Sequence, residues 1–147
     1  MNMLSPLEAL LTFLFKTLDG SDQSKIEGRT KLQKIVYLSS RSDNIFNFRF
    51  VGYHYGPYSR ELQKTVSKMV AFNLISEEEE GFNHNTRYNY KLTLEGIDQA
   101  KKIWGKLDEV VKETIEKLAI TGKEINSNPF KEVLKQAYAT AKGEGIL

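Results

Sequence analysis

The N-terminal part of the chain carries the apolar spacing of an amphipathic helix. Apolar residues recur every three or four positions over residues 7–18, which places them on one helical face. Ser5 and Glu8 match a capping box at the start of this helix, and Gly20 is a residue type that ends helices. The following residues, 21–28, are mostly polar and predict a loop.

A second helix is predicted to begin at another capping box, formed by Thr30 and Gln33, and to end near Ser40. Phenylalanines then alternate with polar residues over residues 46–50, which predicts a strand with its aromatic side chains facing inward. The Gly56-Pro57 pair follows as a turn, and we expect it to start the third helix.

The third helix is predicted to have one apolar face and one polar face. Its apolar positions are Tyr58, Leu62, Val66, Met69 and Val70. The opposite, polar face comprises Arg60, Lys64, Ser67 and Lys68. Asn73 is suited to end this helix in the left-handed conformation. Residues 74–94 then predict two strands joined by a polar tip that includes Asn83 and Arg87, an arrangement known as a wing.

The rest of the chain is predicted to be helical. Thr93 is suited to cap a long helix that extends to about Ala119 without a break. Gly122 and the turn at residues 126–129 are expected to end it, before a last helix over residues 129–141. The long helix carries a heptad-like apolar stripe made up of Ile97, Trp104, Leu107, Val111 and Leu118. This stripe fits either the core of one chain or the seam of a homodimer, and its length favours the homodimer.

The order of these elements predicts an α+β fold that is mainly helical. A helix that runs into two strands joined by a polar tip is typical of a winged helix-turn-helix, here with an inserted strand and additional C-terminal helices. We expect one domain over residues 1–147, with a winged-helix core over about residues 5–93 and C-terminal helices over about residues 94–142. For this fold class, double-stranded DNA is the expected partner.

The residues expected to contact DNA are basic or polar and lie on three elements. They are Arg60, Lys64, Ser67 and Lys68 on the third helix, Asn85 and Arg87 at the wing, and Arg29 and Lys31 at the start of the second helix. Charge supports this assignment, because residues 1–74 hold ten Lys/Arg against six Asp/Glu, whereas residues 75–147 hold eleven against thirteen. The alternative is that the third helix presents an ordinary solvated face.

Two segments favour a different kind of partner. The run from Glu77 to Glu80 places four carboxylates on the first wing strand, where they would repel phosphates. Such a run is typical of a solvated edge strand, and the alternatives are an autoinhibitory patch or a docking site for a basic protein. Tyr53, Tyr55 and Tyr58 surround the Gly-Pro turn, where a packed corner is favoured over a binding platform.

Composition argues against several classes of protein. The chain of 147 residues has no cysteine, which removes disulfides and thiolate metal sites. No apolar run approaches the roughly 20 residues of a membrane span. Residues 1–18 lack the basic start of a signal peptide, so we expect a cytoplasmic protein. His54 and His84 are not spaced as metal ligands, and no phosphate loop or catalytic triad is visible, so we expect no enzyme activity, cofactor or metal.

Three motifs carry a resemblance to known families. Lys31-Leu-Gln-Lys-Ile-Val-Tyr-Leu38 and Tyr53-His-Tyr-Gly-Pro-Tyr-Ser59 resemble a poorly characterised group of archaeal and bacterial winged-helix proteins. They also look like distant versions of elements in the Panacea antitoxin and phage-associated domain, which implies a toxin-like protein partner. Tyr90-Lys-Leu-Thr-Leu-Glu-Gly96 is similar to the second wing strand of MarR- and PadR-type regulators, in which this motif opens the dimerising helix. The segment over residues 39–56 departs from them, because it is longer than the tight turn of a simple helix-turn-helix.

We therefore expect a winged-helix DNA-binding protein that acts as a homodimer and regulates transcription. The alternative is a protein–protein interaction module of antitoxin or phage-accessory type, which holds a basic partner and does not contact DNA. Salt-dependent binding to random duplex DNA distinguishes the first function from the second, because phosphate contacts release counterions.

Overall fold

The computed structural model describes residues 4–82 and 84–147 and, within them, an α+β chain with six helices and five strands. The helices are α1 (Pro6–Thr17), α2 (Arg29–Ser39), α3 (Arg60–Ala71), α4 (Leu94–Gly105), α5 (Glu109–Asn126) and α6 (Phe130–Gly143). The strands are β1 (Lys25–Glu27), β2 (Val51–Tyr53), β3 (Gly56–Tyr58), β4 (Ile75–Phe82) and β5 (Asn85–Leu92). Asn83 of the predicted tip and residues 1–3 lie outside the described residues. Among the described helices, none has both the length and the apolar character that a membrane span requires.

The strands form two antiparallel sheets. The larger has the order β1-β5-β4, and its β4–β5 hairpin occupies the segment predicted to form two strands. Ile26 of β1 pairs with Tyr90 of β5, and Ile75 of β4 pairs with Leu92. The prediction of a plain loop over residues 21–28 is therefore wrong. Periodicity missed β1 because this strand has three residues, of which Ile26 is the buried one.

Helix α1 begins as predicted and forms one side of the core. The Glu8 N–H donates to Ser5 Oγ at 3.1 Å, and the Ser5 N–H donates to Glu8 Oε1 at 3.0 Å. Leu10, Phe13 and Leu14 are each at most 1% exposed. They bring α1 against α4 and α5, so the C-terminal helices complete the same core as the N-terminal half.

Helix α2 begins earlier than predicted and lacks the predicted cap. Its N-cap is Gly28, whose φ is +108°, and Thr30 lies inside the first turn. The amide of Gln33 bonds to the backbone of Ser59 and not to that of Thr30. The capping-box prediction fails because Gln33 satisfies a buried peptide group across the core, which would be costly to leave unpaired. The predicted end of α2 is confirmed by its C-cap, Ser40.

The phenylalanines over residues 46–50 are buried as predicted, but this segment forms no strand. Asn47 adopts a φ of +58°, which interrupts an extended path. The first ladder pair of the smaller sheet lies farther along, between Val51 and Tyr58. The alternation of apolar residues therefore indicates that one side of the segment is buried. It does not show that the segment pairs with another strand.

Gly56 and Pro57 belong to β3, so the prediction that they start α3 is wrong. Ser59 caps α3 instead, because its Oγ accepts a hydrogen bond from the Leu62 N–H at 3.2 Å. Gly56 has a φ of +101°, a conformation that favours glycine. The β2–β3 hairpin is therefore inserted between α2 and α3.

The predicted long C-terminal helix is two helices. Thr93 caps α4 as predicted, but α4 ends at Gly105. Asp108 then caps α5 by accepting from the Val111 N–H at 2.9 Å. The prediction of a continuous helix was wrong because the apolar repeat continues across this cap, and periodicity alone does not register the break.

Gly122 does not end α5, contrary to the prediction, and lies buried within it. A Cβ at this position would stand 2.7 Å from Phe13 Cζ, so the glycine allows α1 and α5 to approach closely. The last helix, α6, runs slightly beyond its predicted end. Glu144 follows it, accepts a hydrogen bond from the Tyr37 hydroxyl and pairs with Arg41 at 2.8 Å, which fastens the end of α6 to α2.

Candidate functional site

The predicted polar face of α3 is exposed to solvent. The opposite side of the helix is buried, with Leu62, Val66 and Met69 each at most 1% exposed. The exposed residues of the predicted polar face are Arg60, Lys64, Ser67 and Lys68. Three of them are cations spaced one helical turn apart, held on a helix whose apolar side is firmly packed.

The two basic residues predicted at the start of α2 are engaged within the chain. The guanidinium of Arg29 lies 3.8 Å from the centroid of the Tyr88 ring and 3.5 Å from Glu77 Oε1. Lys31 is 8% exposed, and its Nζ donates to the carbonyl of Asn126 at 2.9 Å. Burial lowers the pKa of Lys31. In this conformation Lys31 does not offer an exposed ammonium to a phosphate, which is a correction to its predicted role.

The two polar residues predicted at the β4–β5 hairpin differ in accessibility. Asn85 is exposed at the first position of β5. Arg87 is partly covered, and its guanidinium lies 3.1 Å from a carboxylate oxygen of Glu27 and 3.1 Å from one of Glu80. Asn85 could meet a ligand without rearrangement, whereas Arg87 would first have to leave two ion pairs.

The acidic run on β4 is largely neutralised by neighbouring side chains. Glu77 pairs with Arg29 and also accepts a hydrogen bond from the Tyr90 hydroxyl at 2.7 Å. Glu78 lies 3.9 Å from Lys91 Nζ across the ladder. Hydrogen bonds to Glu80, above all from Arg87, lower the pKa of its carboxyl. Two of the residues predicted to contact DNA, Arg29 and Arg87, therefore pair with carboxylates that would otherwise repel DNA.

The two motifs that carried the first resemblance contact each other. Lys34, the last residue of Lys-Leu-Gln-Lys, donates from Nζ to the carbonyl of Pro57 at 2.6 Å. Gln33 Nε2 donates to the Ser59 carbonyl at 2.9 Å, and the Ser59 N–H donates back to Gln33 Oε1 at 2.9 Å. Because Ser59 caps α3, these bonds tie α2 to the β2–β3 hairpin and to the start of α3.

The tyrosines around Gly56 are more exposed than predicted. Tyr53 is 58% exposed and Tyr55 is 64% exposed, so the interpretation as a packed corner is wrong for both. The Tyr53 ring stacks on Tyr58 with centroids 5.1 Å apart and lies 4.6 Å from the His54 ring. The hairpin therefore presents an aromatic surface to solvent.

A cavity of about 300 Å³ opens between this hairpin, α2 and α3. We call it the aromatic cavity, and it is lined by Tyr53, Tyr55 and Tyr58 together with Arg29, Thr30, Gln33, Lys34 and Gln63. Lys34 is 2% exposed, and burial lowers its pKa to about 8. The sequence pattern does not reveal this site, because helical periodicity treats lysine as a solvent-facing residue. The signal in the sequence that could have revealed the site is that both motifs occur together. Lys-Leu-Gln-Lys supplies the ammonium of Lys34, and the Tyr-Gly-Pro motif supplies the carbonyl of Pro57 that accepts its hydrogen bond.

The predicted apolar seam does not form one continuous surface. Leu118 is 1% exposed and Leu107 is 8% exposed, so both belong to the interior of the single chain. Ile97, Trp104 and Val111 are half-buried on two different helices. The stripe therefore serves the core of one chain at Leu107 and Leu118, which corrects their assignment to a dimer interface.

Part of the chain is similar in sequence to a bacterial protein. The chain is 33% identical over 76 residues to the Bacillus subtilis (strain 168) protein named "Uncharacterized protein YwgA". The aligned part makes up 52% of this chain and 46% of that relative, so the match spans less than half of the relative's length. No protein-family model matches the chain.

Proposed function

We propose that the chain is a DNA-binding protein of winged-helix type that places α3 in the major groove and regulates transcription. The observation that carries the proposal is the exposed row of Arg60, Lys64 and Lys68 on a helix whose other side is buried. Cations one turn apart match the requirement for contacts to successive phosphates or base edges along a groove.

The topology supports this proposal. A winged helix requires the order helix, strand, helix, helix, strand, strand, with its first strand paired to its last. Here α1, β1, α2, α3, β4 and β5 follow that order, and β5 lies between β1 and β4. The β2–β3 hairpin is then the insertion between α2 and α3. In such an arrangement α3 is the element that enters the major groove.

The charge distribution on the β4–β5 hairpin also supports it. The carboxylates of Glu77, Glu78 and Glu80 each have a cationic partner, so the hairpin would repel phosphates less than its sequence indicates. The contacts to DNA are then expected mainly from α3, with Asn85 as the accessible residue of the hairpin.

Titration of random duplex DNA with salt tests the proposal. Three phosphate contacts predict a slope of about −2.7 for the logarithm of affinity against that of salt, which is roughly 40-fold weaker binding between about 50 and 200 mM. Lys64→Glu with Lys68→Glu is expected to reduce affinity at least about tenfold, because two attractions become repulsions.

The chain provides a matched control on α6. Lys131 and Lys135 are also exposed and one turn apart, so Lys131→Glu with Lys135→Glu changes net charge equally. We expect this control to bind DNA nearly as well as the unmodified chain, since charges away from the contact are screened beyond about 10 Å. Equal losses in both variants would attribute binding to net charge alone and exclude the α3 assignment.

Homodimer formation is a separate part of the proposal. The predicted seam residues that stay partly accessible are Ile97, Trp104 and Val111. Light scattering compares the mass in solution with the 16.9 kDa of one chain. A mass of one chain at micromolar concentration would remove the homodimer and leave the DNA-binding proposal unchanged.

The alternative function, a protein-interaction module, is favoured by the exposure of Tyr53 and Tyr55. The acidic part of that hypothesis is weaker, because the Glu77–Glu80 carboxylates are largely ion-paired within the chain. Two results together would favour the alternative. The chain would fail to bind DNA even at low salt, and a co-purifying protein would form a stable complex with it through the β2–β3 hairpin.

A further inference from the structure

Lys34 is a buried cation that lacks a carboxylate partner among the described residues. Its Nζ donates to the Pro57 carbonyl at 2.6 Å. A neutral carbonyl satisfies one of the three N–H donors of an ammonium but does not balance its charge. Buried charges in proteins are normally paired, so an anion is the partner that this position calls for.

The aromatic cavity is lined in part by Lys34 and has room for such a partner. Arg29 and Thr30, which form the first turn of α2, line the cavity together with Lys34. Helix α2 starts at Gly28 without a side-chain cap, so its first N–H groups and its dipole favour negative charge at the same end. Lys34, the Thr30 hydroxyl and the helix start form a combination suited to phosphate. Arg29 adds a second positive charge nearby, although its guanidinium is itself paired with Glu77.

The remaining wall of the cavity is aromatic. Tyr53, Tyr55 and Tyr58 line it, with Tyr53 and Tyr58 stacked on each other. Tyrosine rings bind flat rings by stacking, and every nucleobase has a face that stacks in this way. A volume of about 300 Å³ is at the lower end of the range for small-molecule sites, which fits one nucleotide.

We propose that the aromatic cavity binds a phosphorylated molecule with a planar aromatic ring, the chemistry of a single nucleotide. Its phosphate lies near Lys34 and the start of α2, and its ring lies among the tyrosines. The nucleotide is either free in solution or the phosphorylated end of a strand. This site does not depend on DNA binding by α3, because Lys64 and Lys68 do not line the cavity.

Calorimetric titration of the full chain tests the site with defined probes. The probes are AMP, GMP, CMP, UMP, inorganic phosphate, and one short single strand with and without a 5′-phosphate. We expect at least one mononucleotide, or the phosphorylated strand, to bind with a Kd of about 1 mM or lower. Inorganic phosphate is expected to bind at least about tenfold more weakly, because it lacks the stacking ring.

Substitutions in the cavity separate this site from other surfaces. Tyr55→Ala is expected to weaken nucleotide binding about tenfold through lost stacking, with an intact fold because the side chain is mostly exposed. Phe72→Ala is the matched control, since Phe72 is 63% exposed on another surface, and it should leave binding unchanged.

Lys34→Met should weaken binding roughly 10- to 100-fold through the lost charge-assisted bonds. The Lys64→Glu, Lys68→Glu variant should retain nucleotide binding, which distinguishes this proposal from the DNA proposal.

Three results would overturn the proposal. The first is no binding of any nucleotide probe up to about 10 mM, where the expected affinity gives near saturation. The second is nucleotide binding that Tyr55→Ala leaves unchanged. The third is inorganic phosphate that binds as tightly as the best nucleotide. Binding of the 5′-phosphorylated strand alone, lost in Tyr55→Ala, supports the site and identifies a strand end as the source.

Discussion

Gly96→Ala is expected to destabilise the chain strongly, although alanine is the better helix former. Gly96 lies in the first turn of α4, and a Cβ built on it would stand 1.9 Å from the backbone carbonyl oxygen of Leu74. Carbon and oxygen normally approach no closer than about 3.3 Å without a bond between them. The start of α4 would therefore have to move by more than an ångström from the junction between α3 and β4.

The cost of this movement follows from the bonds that it disturbs. The Thr93 N–H donates to the Leu74 carbonyl at 3.2 Å, and the Gly96 N–H donates to Thr93 Oγ at 2.9 Å. Loss of the helix cap costs about 1 kcal/mol, and a buried carbonyl left without its donor costs about 1–3 kcal/mol. The intrinsic helix preference of alanine returns about 1 kcal/mol. We expect a net loss of about 1–3 kcal/mol in the free energy of unfolding.

Urea unfolding measured by the fluorescence of Trp104, which lies on α4, determines this loss directly. Gly105→Ala is the matched control, because no atom lies within 4 Å of a Cβ at the last residue of the same helix. This control should be neutral or more stable by up to about 1 kcal/mol. If Gly96→Ala were as stable as the unmodified chain, the close contact of α4 with Leu74 would be refuted.

Three further predictions concern the pH dependence of stability and the ends of helices. Burial lowers the pKa of Lys34 to about 8 from 10.5, so the unfolded chain binds more protons between these values and stability rises with pH through this window. From pH 7 to 9 the free energy of unfolding of the unmodified chain is expected to rise by about 1 kcal/mol relative to that of the Lys34→Met variant. This prediction is contradicted if the difference in unfolding free energy between the two chains, measured in urea titrations, stays constant from pH 7 to 9. Burial raises the pKa of Tyr90 well above its usual range, so the titration of Tyr90 affects stability only above that interval. Asn73 holds a φ of +58°, so Asn73→Gly should be neutral or stabilising and Asn73→Ala should lower the melting temperature through a cost of about 1 kcal/mol. Asp108→Ala should cost about 1 kcal/mol through the lost cap of α5, and unchanged unfolding would show that the cap does not hold the break between α4 and α5.

Sequence patterns predicted the elements whose causes are local. Ser5 and Thr93 were recognised as caps because capping involves residues within one helical turn. The burial of the phenylalanines over residues 46–50 followed from their alternation, but the absence of a strand did not, because Asn47 sets the backbone there. The break before α5 was missed because Asp108 lies within a continuing apolar repeat.

The candidate site was harder to predict because its partners are distant in sequence. Lys34 and Pro57 are separated by 23 residues, and Lys31 and Asn126 by 95. No periodicity in α2 distinguishes a lysine that reaches such a carbonyl from one that faces solvent. The exposed face of α3 was predicted correctly, since a strongly amphipathic helix defines its own buried side.

The bonds between Gln33 and Ser59 have a consequence for divergence among homologous sequences. Gln33 contacts the main-chain N–H and C=O of residue 59, which every amino acid except proline provides. Selection on this contact therefore acts on position 33 alone, where only an amide both donates and accepts with the required reach. Position 59 is free to drift among residues that cap a helix, such as threonine or aspartate. An invariant glutamine opposite a variable capping residue is the substitution pattern that relatives of this fold should show.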